Sequence, residues 1–176
     1  ATCLNKRWHV PYIVSLRGGD VPGLVPEIEP LHRFLAPFRR WVSKNAKAVV
    51  ANSASLAELA QASDAVSVTV IPNGVDTQYY RPSGNNIGVN GAPLRLLLVG
   101  RFHRQKLIPE TIQWLAQAKS QGIEFLVTIV GDGPERDAVE ATIEDADMIK
   151  FICLEGWLGK DQLRNHYQQA DCFLNL

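Results

Sequence analysis

Two positive side chains, Arg101 and Lys106, stand in the segment Gly100-Arg-Phe-His-Arg-Gln-Lys106, directly after an apolar run and just before Pro109. Arg104 adds a third cation to the same stretch. Gly100 ends the run, and a glycine there lets main chain come close to a ligand. A helix N-terminus draws anions through its unpaired N–H groups and the helix dipole. Cations beside such a terminus are the chemistry that grips a diphosphate. A solvated basic loop is the plainer reading, and spacing alone leaves both open.

Three further glycine loops carry polar groups. Gly131-Asp-Gly-Pro134 reads as a tight strand-to-helix turn, with Gly131 and Gly133 able to meet a ligand backbone first. Its plainer reading is a turn with proline at the helix start. Glu155-Gly156-Trp157 has a glycine whose peptide groups suit the edge of a nucleobase, and a Trp that either packs on that base or belongs to the core or a lid. Gly18-Gly19-Asp20 puts a carboxylate on a glycine loop, either to orient a hydroxyl or to satisfy its own turn. No G-x-G-x-x-G fingerprint is present, and Gly159-Lys160-Asp161 is not a P-loop. Of His9, His32, His103 and His166, only His103 lies in a candidate ligand loop; the others read as surface or structural residues. Cys3, Cys153 and Cys172 are too widely spaced for a disulfide framework or a zinc site, so no metal is expected. They read as buried, inert thiols.

The elements that must position these loops alternate. Pro11–Leu16 reads as a buried strand. About Glu27 to Lys47 reads as a helix, with Ile28, Leu31, Leu35, Phe38 and Val42 on one face and Arg33, Arg40, Lys44 and Lys47 opposite. Pro37 predicts a kink or a break there. Ala48–Ala51 is a strand, Asn52-Ser53 a cap for a helix over Ala54 to Gln61, and Val66–Ile71 a strand closed by Pro72-Asn73-Gly74. Pro82 to Pro93, rich in Gly, Asn and Pro, reads as a linker. Beyond it, strands at Leu94–Val99, Phe125–Val130, Ile149–Leu154 and Cys172–Leu176 alternate with helices at Pro109–Ser120, Pro134–Ala146 and Lys160–Gln169. That rhythm predicts an α/β fold of Rossmann-like parallel sheets with flanking helices. In such sheets, ligands bind outside the carboxyl ends of the strands, where the glycine loops fall.

Composition sets the frame. The chain has 176 residues, 46% hydrophobic and 20% charged, with 18 basic and 18 acidic side chains. These values fit a globular chain, and a balanced charge argues against a nucleic-acid partner. No apolar run approaches the ~20 residues of a membrane span. The first ten residues lack the apolar stretch of a secretory signal, so a cytoplasmic protein is expected. The basic face of the 27–47 helix leaves contact with the inner face of a membrane open.

In order, the chain carries Ser15-Leu-Arg-Gly-Gly-Asp20, Val50-Ala-Asn-Ser53, Val70-Ile-Pro-Asn-Gly-Val-Asp76 with Tyr80-Arg-Pro82, and Leu98-Val-Gly-Arg101 with Lys106. Ile129-Val-Gly-Asp-Gly-Pro134, Glu155-Gly156-Trp157 and Ala170-Asp-Cys-Phe-Leu-Asn-Leu176 follow. Together they resemble the glycogen-synthase-like group of retaining glycosyltransferases (group one, family four). The resemblance covers nearly the whole chain and implies parts of two Rossmann-like domains of the GT-B architecture. Residues 1–81 would be the C-terminal part of the acceptor-side domain, 82–93 the linker, and 94–176 the first part of the nucleotide-sugar domain. It implies transfer of a sugar from a nucleoside-diphosphate sugar to a carbohydrate or lipid-linked acceptor, with retention. On this pattern Arg101 and Lys106 would hold the donor diphosphate without a metal or cofactor. Gly100, Gly131 and Gly133 would line the donor cleft, Glu155, Gly156 and Trp157 would lie beside the base, and Gly19 and Asp20 would form the acceptor-side rim.

Two departures stand out. Leu107 follows Lys106 where the family usually has glycine. The family's pair of glutamates, expected beyond a strand like Cys172–Leu176, is not in the sequence. The chain therefore reads as a fragment, inactive alone and able to oligomerise through its uncovered last strand. The alternatives are a nucleotide-sugar epimerase of the same architecture and a non-catalytic nucleotide-binding module.

Overall fold

A computed structural model describes residues 2–83 and 92–175. The chain divides into two compact units, Ala1–Val75 and Asp76–Leu176.

The first unit begins with a short helix the sequence reading did not anticipate, α1 (Thr2–Trp8). It carries a three-stranded parallel sheet in the order β1-β2-β3, built from β1 (Ile13–Leu16), β2 (Ala48–Ala51) and β3 (Thr69–Val70). The β-branched Val and Ile of these runs suit a pleated surface. Helix α2 (Glu29–Lys44) crosses from β1 to β2, and α3 (Ala54–Asp64) crosses from β2 to β3. The Ser53 hydroxyl caps α3 by accepting from the Leu56 N–H at 3.3 Å. Leu16, Val21, Val49, Ala51, Leu56, Ala57 and Ala60 form the core of this unit.

Helix α2 corrects two expectations. It is one helix through Pro37 rather than two shorter ones. A proline removes one ladder bond, and the remaining turns hold the helix. Its apolar positions also do not face the core: Leu31, Phe34, Leu35 and Phe38 are exposed, while His32 and Ser43 are buried. The inner face is held by charge instead. Arg39 donates from Nε and Nη2 to the two oxygens of Asp64 on α3, at 2.5 and 2.8 Å, and from Nη1 to the His32 carbonyl at 3.1 Å.

The second unit has a four-stranded parallel sheet in the order β6-β5-β4-β7, from β4 (Leu94–Val99), β5 (Phe125–Val130), β6 (Ile152–Glu155) and β7 (Cys172–Leu174). Leu98 on β4 pairs with Ile129 on β5, and Ile129 with Leu154 on β6, so the three strands end level. Helices α4 (Ile108–Ser120), α5 (Arg136–Asp145) and α6 (Lys160–Gln169) connect them. Ile108, Ile112, Val127, Ile129 and Val139 are buried among Leu98, Phe102, Phe125 and Met148. Each such side chain contributes roughly 1.5–3 kcal/mol on burial. The Arg95 guanidinium grips Asp171 (Nη2–Oδ1 2.7 Å), and the Asp171 N–H donates to the Arg95 carbonyl at 2.8 Å, tying β7 to β4.

Residues 76–83 pack on α6. The Tyr79 hydroxyl donates to the Asp161 carboxylate, and its ring lies 4.1 Å from Lys160 Nζ and 4.8 Å from the Arg164 guanidinium. Tyr80 stands edge-on to Tyr79 and Tyr167. Gln168 donates to the Arg81 carbonyl at 2.9 Å. Most of the 82–93 linker expected from composition lies outside the described residues. The three cysteines are exposed rather than buried.

Candidate functional site at the carboxyl ends of β4, β5 and β6

The level ends of β4, β5 and β6 deliver three loops to one place, and main-chain hydrogen bonds knit them together. The Gly100 N–H donates to the Val130 carbonyl at 3.0 Å, and the Phe102 N–H to the Asp132 carbonyl at 2.9 Å. The Glu135 N–H returns a bond to the Phe102 carbonyl at 3.2 Å. The Gly131 N–H is shared between the carbonyls of Glu155 and Gly156, each at 3.2 Å. Side chains would obstruct this seam. A Cβ on Gly131, which has φ +144°, would lie 1.9 Å from the Gly100 oxygen. A Cβ on Gly133 would lie 2.3 Å from the Phe102 oxygen. Gly131 and Gly133 are thus required by loop-to-loop contact, and Gly131 also lines the cleft. Gly156 has open space where a Cβ would stand.

The loops enclose a cleft of about 430 Å³. Val99, Gly100 and Arg101 line it from the first loop, Val130, Gly131 and Asp132 from the second, and Trp157 and Leu158 from the third, with Leu163 of α6 behind. Trp157 is 82% exposed, so it is neither core nor covered; its ring is a free platform on the wall. Flat aromatic faces of this kind stack on planar ligands.

The cations sit as the sequence reading placed them relative to α4. Arg101 lines the cleft. Lys106 closes a one-turn 3₁₀ segment, Arg104–Lys106, and its stem lies over Gly100: a Cβ there would meet Lys106 Cδ at 3.6 Å. Among the described residues, neither Arg101 nor Lys106 has an acidic partner within ion-pair distance. Asp132 is committed elsewhere, accepting from the Gly133 N–H at 2.7 Å and facing Arg136 at 3.7 Å. Leu107, where glycine was expected, takes the left-handed conformation at φ +46° and starts α4. The backbone path a glycine would follow is kept, at the cost of about 1–2 kcal/mol for a side chain in that region.

Glu155 presents its carbonyl to Gly131, and its carboxylate lies 3.8 Å from the Cys153 sulfur. Partial burial and this carboxylate push the Cys153 thiol up. Gly19 and Asp20 belong to the first unit. There Asp20 accepts from the Arg17 N–H with both oxygens, at 2.9 and 3.1 Å, closing the loop after β1. Arg17 donates from Nη1 to Asn73 Oδ1 at 3.0 Å, so the loops after β1 and β3 meet. Phe102 was missed as a site residue. It is fully buried, and its backbone anchors the second loop. A large apolar residue inside a run of cations was the available signal.

A parallel α/β sheet with a cleft outside the carboxyl ends of its strands is the arrangement in which open α/β folds hold their ligands. The comparisons agree with the geometry. Residues 1–74 match the Glycosyl transferase 4-like domain, and residues 84–175 match Glycosyl transferases group 1. The chain belongs to the group 1 glycosyl transferases. It is similar to alpha-monoglucosyldiacylglycerol synthase of Acholeplasma laidlawii (24% identical over 117 residues, 61% of this chain and 29% of that protein). It is also similar to the amylovoran biosynthesis glycosyltransferase AmsK of Erwinia amylovora (30% over 82 residues, 47% of this chain and 20% of that protein). In fold it resembles Anabaena HepE, solved in complex with UDP (TM-score 0.73, 19% identity, 97% of this chain and 47% of that one). A glycosyltransferase from Rickettsia africae is similar too (TM-score 0.70, 16% identity, 99% of this chain and 47% of that one). The chain therefore spans less than a third of these curated relatives and about half of these solved chains. The fold is the α/β, parallel-sheet arrangement of GT-B glycosyltransferases.

Proposed function

We propose that the second unit binds the diphosphate of a nucleoside-diphosphate sugar, and that the protein to which this chain belongs transfers the sugar to a hydroxyl of a carbohydrate or lipid-linked acceptor. The observation that carries this reading is the pair Arg101 and Lys106, without an acidic partner among the described residues, in the loop after β4 that borders a glycine-floored cleft. When the bond from the anomeric carbon to the β-phosphate oxygen breaks, charge accumulates on the departing diphosphate. Cations held in place before the reaction stabilise that charge without reorganisation. They do so where many transferases use a divalent cation, so the reading includes activity in the presence of a chelator. Trp157 stacks on the nucleobase, and the Gly156 N–H addresses its edge. Gly19 and Asp20 serve the acceptor side. Retention of anomeric configuration rests on the family resemblance alone.

The test is calorimetry with UDP, the nucleotide named for the HepE complex, on the protein and on Arg101→Glu with Lys106→Glu. Loss of binding with an unchanged melting temperature supports the assignment, and unchanged affinity ends it. NMR of the transferred sugar's anomeric proton reads retention against inversion. A product still attached to its nucleotide would mean epimerisation instead.

A further inference from the structure

The segment 76–83, at the start of the second unit, adds no residue to the lining of the cleft, yet it holds one of the cleft's walls. Its order begins at Asp76. The Asp76 Oδ1 accepts from the N–H groups of Gln78 and Tyr79, each at 3.0 Å, and the Asp76 carbonyl accepts from the Tyr80 N–H at 2.9 Å. An aspartate that bonds the residues just after it sets the backbone of a turn. That turn fixes where the Tyr79 side chain departs.

Tyr79 meets the first two turns of α6. Its hydroxyl donates to the Asp161 carboxylate, Lys160 Nζ stands 4.1 Å from its ring and the Arg164 guanidinium 4.8 Å. Arg164 Nε is buried with no hydrogen-bond partner among the described residues, so the face of the Tyr79 ring is what offsets its lost hydration. Further along, the Ser83 hydroxyl donates to the Gln168 carbonyl at 3.3 Å, and Gln168 donates to the Arg81 carbonyl at 2.9 Å. Directed polar contacts, more than apolar burial, fix α6 on this side.

The same turns of α6 carry the cleft wall. Trp157 and Leu158 line the cleft immediately before the Gly159 cap, and Leu163 lines it from within the helix. The cap is tight: the Gly159 N–H donates to Gln162 Oε1 at 3.2 Å, and the Leu163 N–H to the Gly159 carbonyl at 2.9 Å. A displacement of the first turn therefore moves Trp157, Leu158 and Leu163 together. Arg101 and Lys106 hang from the loop after β4 and stay behind. Groups that hold a ligand must be kept within about 0.5 Å of their working place by the contacts behind them.

We infer that Asp76 and Tyr79 are positioning residues for the donor nucleotide. They clamp the first turns of α6 and so set the wall of Trp157 and Leu163 against the base, without touching the ligand themselves. This rests on the reading of the cleft as the donor site.

The test is calorimetry with UDP and with inorganic pyrophosphate on the parent, Tyr79→Phe and Asp76→Ala, with Trp157→Ala completing a double-mutant cycle. Tyr79→Phe keeps the ring and removes only the hydroxyl that meets Asp161. Each variant is expected to weaken UDP binding about threefold to tenfold, the worth of one hydrogen bond. Pyrophosphate, which needs only the cations, is expected to keep its affinity. In the Trp157→Ala background, Tyr79→Phe is expected to change UDP affinity by less than about twofold, because the wall it sets has lost its platform. UDP affinity unchanged in both variants, equal losses for UDP and pyrophosphate, or additive losses in the cycle overturn the inference. A lowered melting temperature with UDP affinity kept makes the strap structural alone and overturns it too. A parent that binds neither UDP nor pyrophosphate ends the donor-site reading itself, whereas a parent that binds UDP beside indifferent variants ends only this inference.

Discussion

Gly133 lies so close to Phe102 that a single added methyl carbon would stand 2.3 Å from the Phe102 oxygen and 2.8 Å from its nitrogen. Both are main-chain atoms, and the Phe102 N–H is already committed to the Asp132 carbonyl. Neither partner can yield as a flexible side chain could.

Gly133→Ala is therefore expected to separate the first two loops and cost about 3 kcal/mol or more of stability. Gly131→Ala is expected to cost at least as much, since it adds strain at φ +144° to a 1.9 Å clash with Gly100. Gly156→Ala, with open space at its Cβ, is expected to stay within about 0.5 kcal/mol of the parent. Urea unfolding of the three variants checks the ranking.

Lys106→Met keeps an unbranched stem over Gly100 and removes only the charge. It is expected to weaken UDP binding by roughly tenfold to a hundredfold, the worth of one charge-assisted hydrogen bond, with the midpoint of unfolding unchanged. Isothermal calorimetry across a salt series measures it, and the parent should show the steeper salt dependence.

Leu107 holds a left-handed conformation that favours glycine. Leu107→Gly relieves that strain while adding freedom to the unfolded chain and losing some packing, so a change within about 0.5 kcal/mol is expected. Leu107→Val places a β-branched residue at the same φ and is expected to lose about 1–2 kcal/mol. Thermal melts of the pair decide it.

Arg39 and Asp64 are a mostly buried pair, and the hydrogen bond to Asp64 holds the Arg39 guanidinium above its usual range. Arg39→Ala leaves the buried Asp64 carboxylate with Arg40 alone, at 3.5 Å, and is expected to cost less than the roughly 3–5 kcal/mol of a fully orphaned buried charge. The sign of the pH dependence follows from the raised value. On the Arg39 side, the contribution is present below the ordinary arginine range and fades as pH rises through the folded value. Denaturation at neutral and mildly alkaline pH should therefore give the same difference between variant and parent.

Tyr79 gives a titration on the strap of residues 76–83. Its hydrogen bond to Asp161 raises the phenol above the usual tyrosine range. The neutral phenol is the favoured form, so its contribution is present below the ordinary tyrosine pKa and fades as pH climbs through the folded one. Ultraviolet titration of the parent minus Tyr79→Phe should show a late-ionising tyrosine, and Asp161→Asn should bring it earlier.

Much of the second unit was legible because local signals agreed there. The strands at Leu94–Val99 and Phe125–Val130 and the helix at Lys160–Gln169 have the expected bounds, both strands ending at a glycine and the helix starting after one. The first unit was less legible. Thr2–Trp8 has no helical periodicity to read, and β3 is only Thr69–Val70 because few residues there find a neighbour to pair with. In α2, periodicity grouped Leu31, Leu35 and Phe38 correctly onto one face, but it carries no information on which face turns inward. That was decided by Arg39 and Asp64, a contact between residues far apart in sequence. Phe102 was hidden among cations, and its burial follows from the β5 loop closing over it. For Trp157, composition favoured the interior, and only the open wall of the cleft decided against it.

The seam joining the three loops is made of amides and carbonyls, with side chains excluded at Gly131 and Gly133. A cradle built this way places few demands on residue identity beyond its glycines. The rim can then be rewritten for a different guest while the floor keeps its shape.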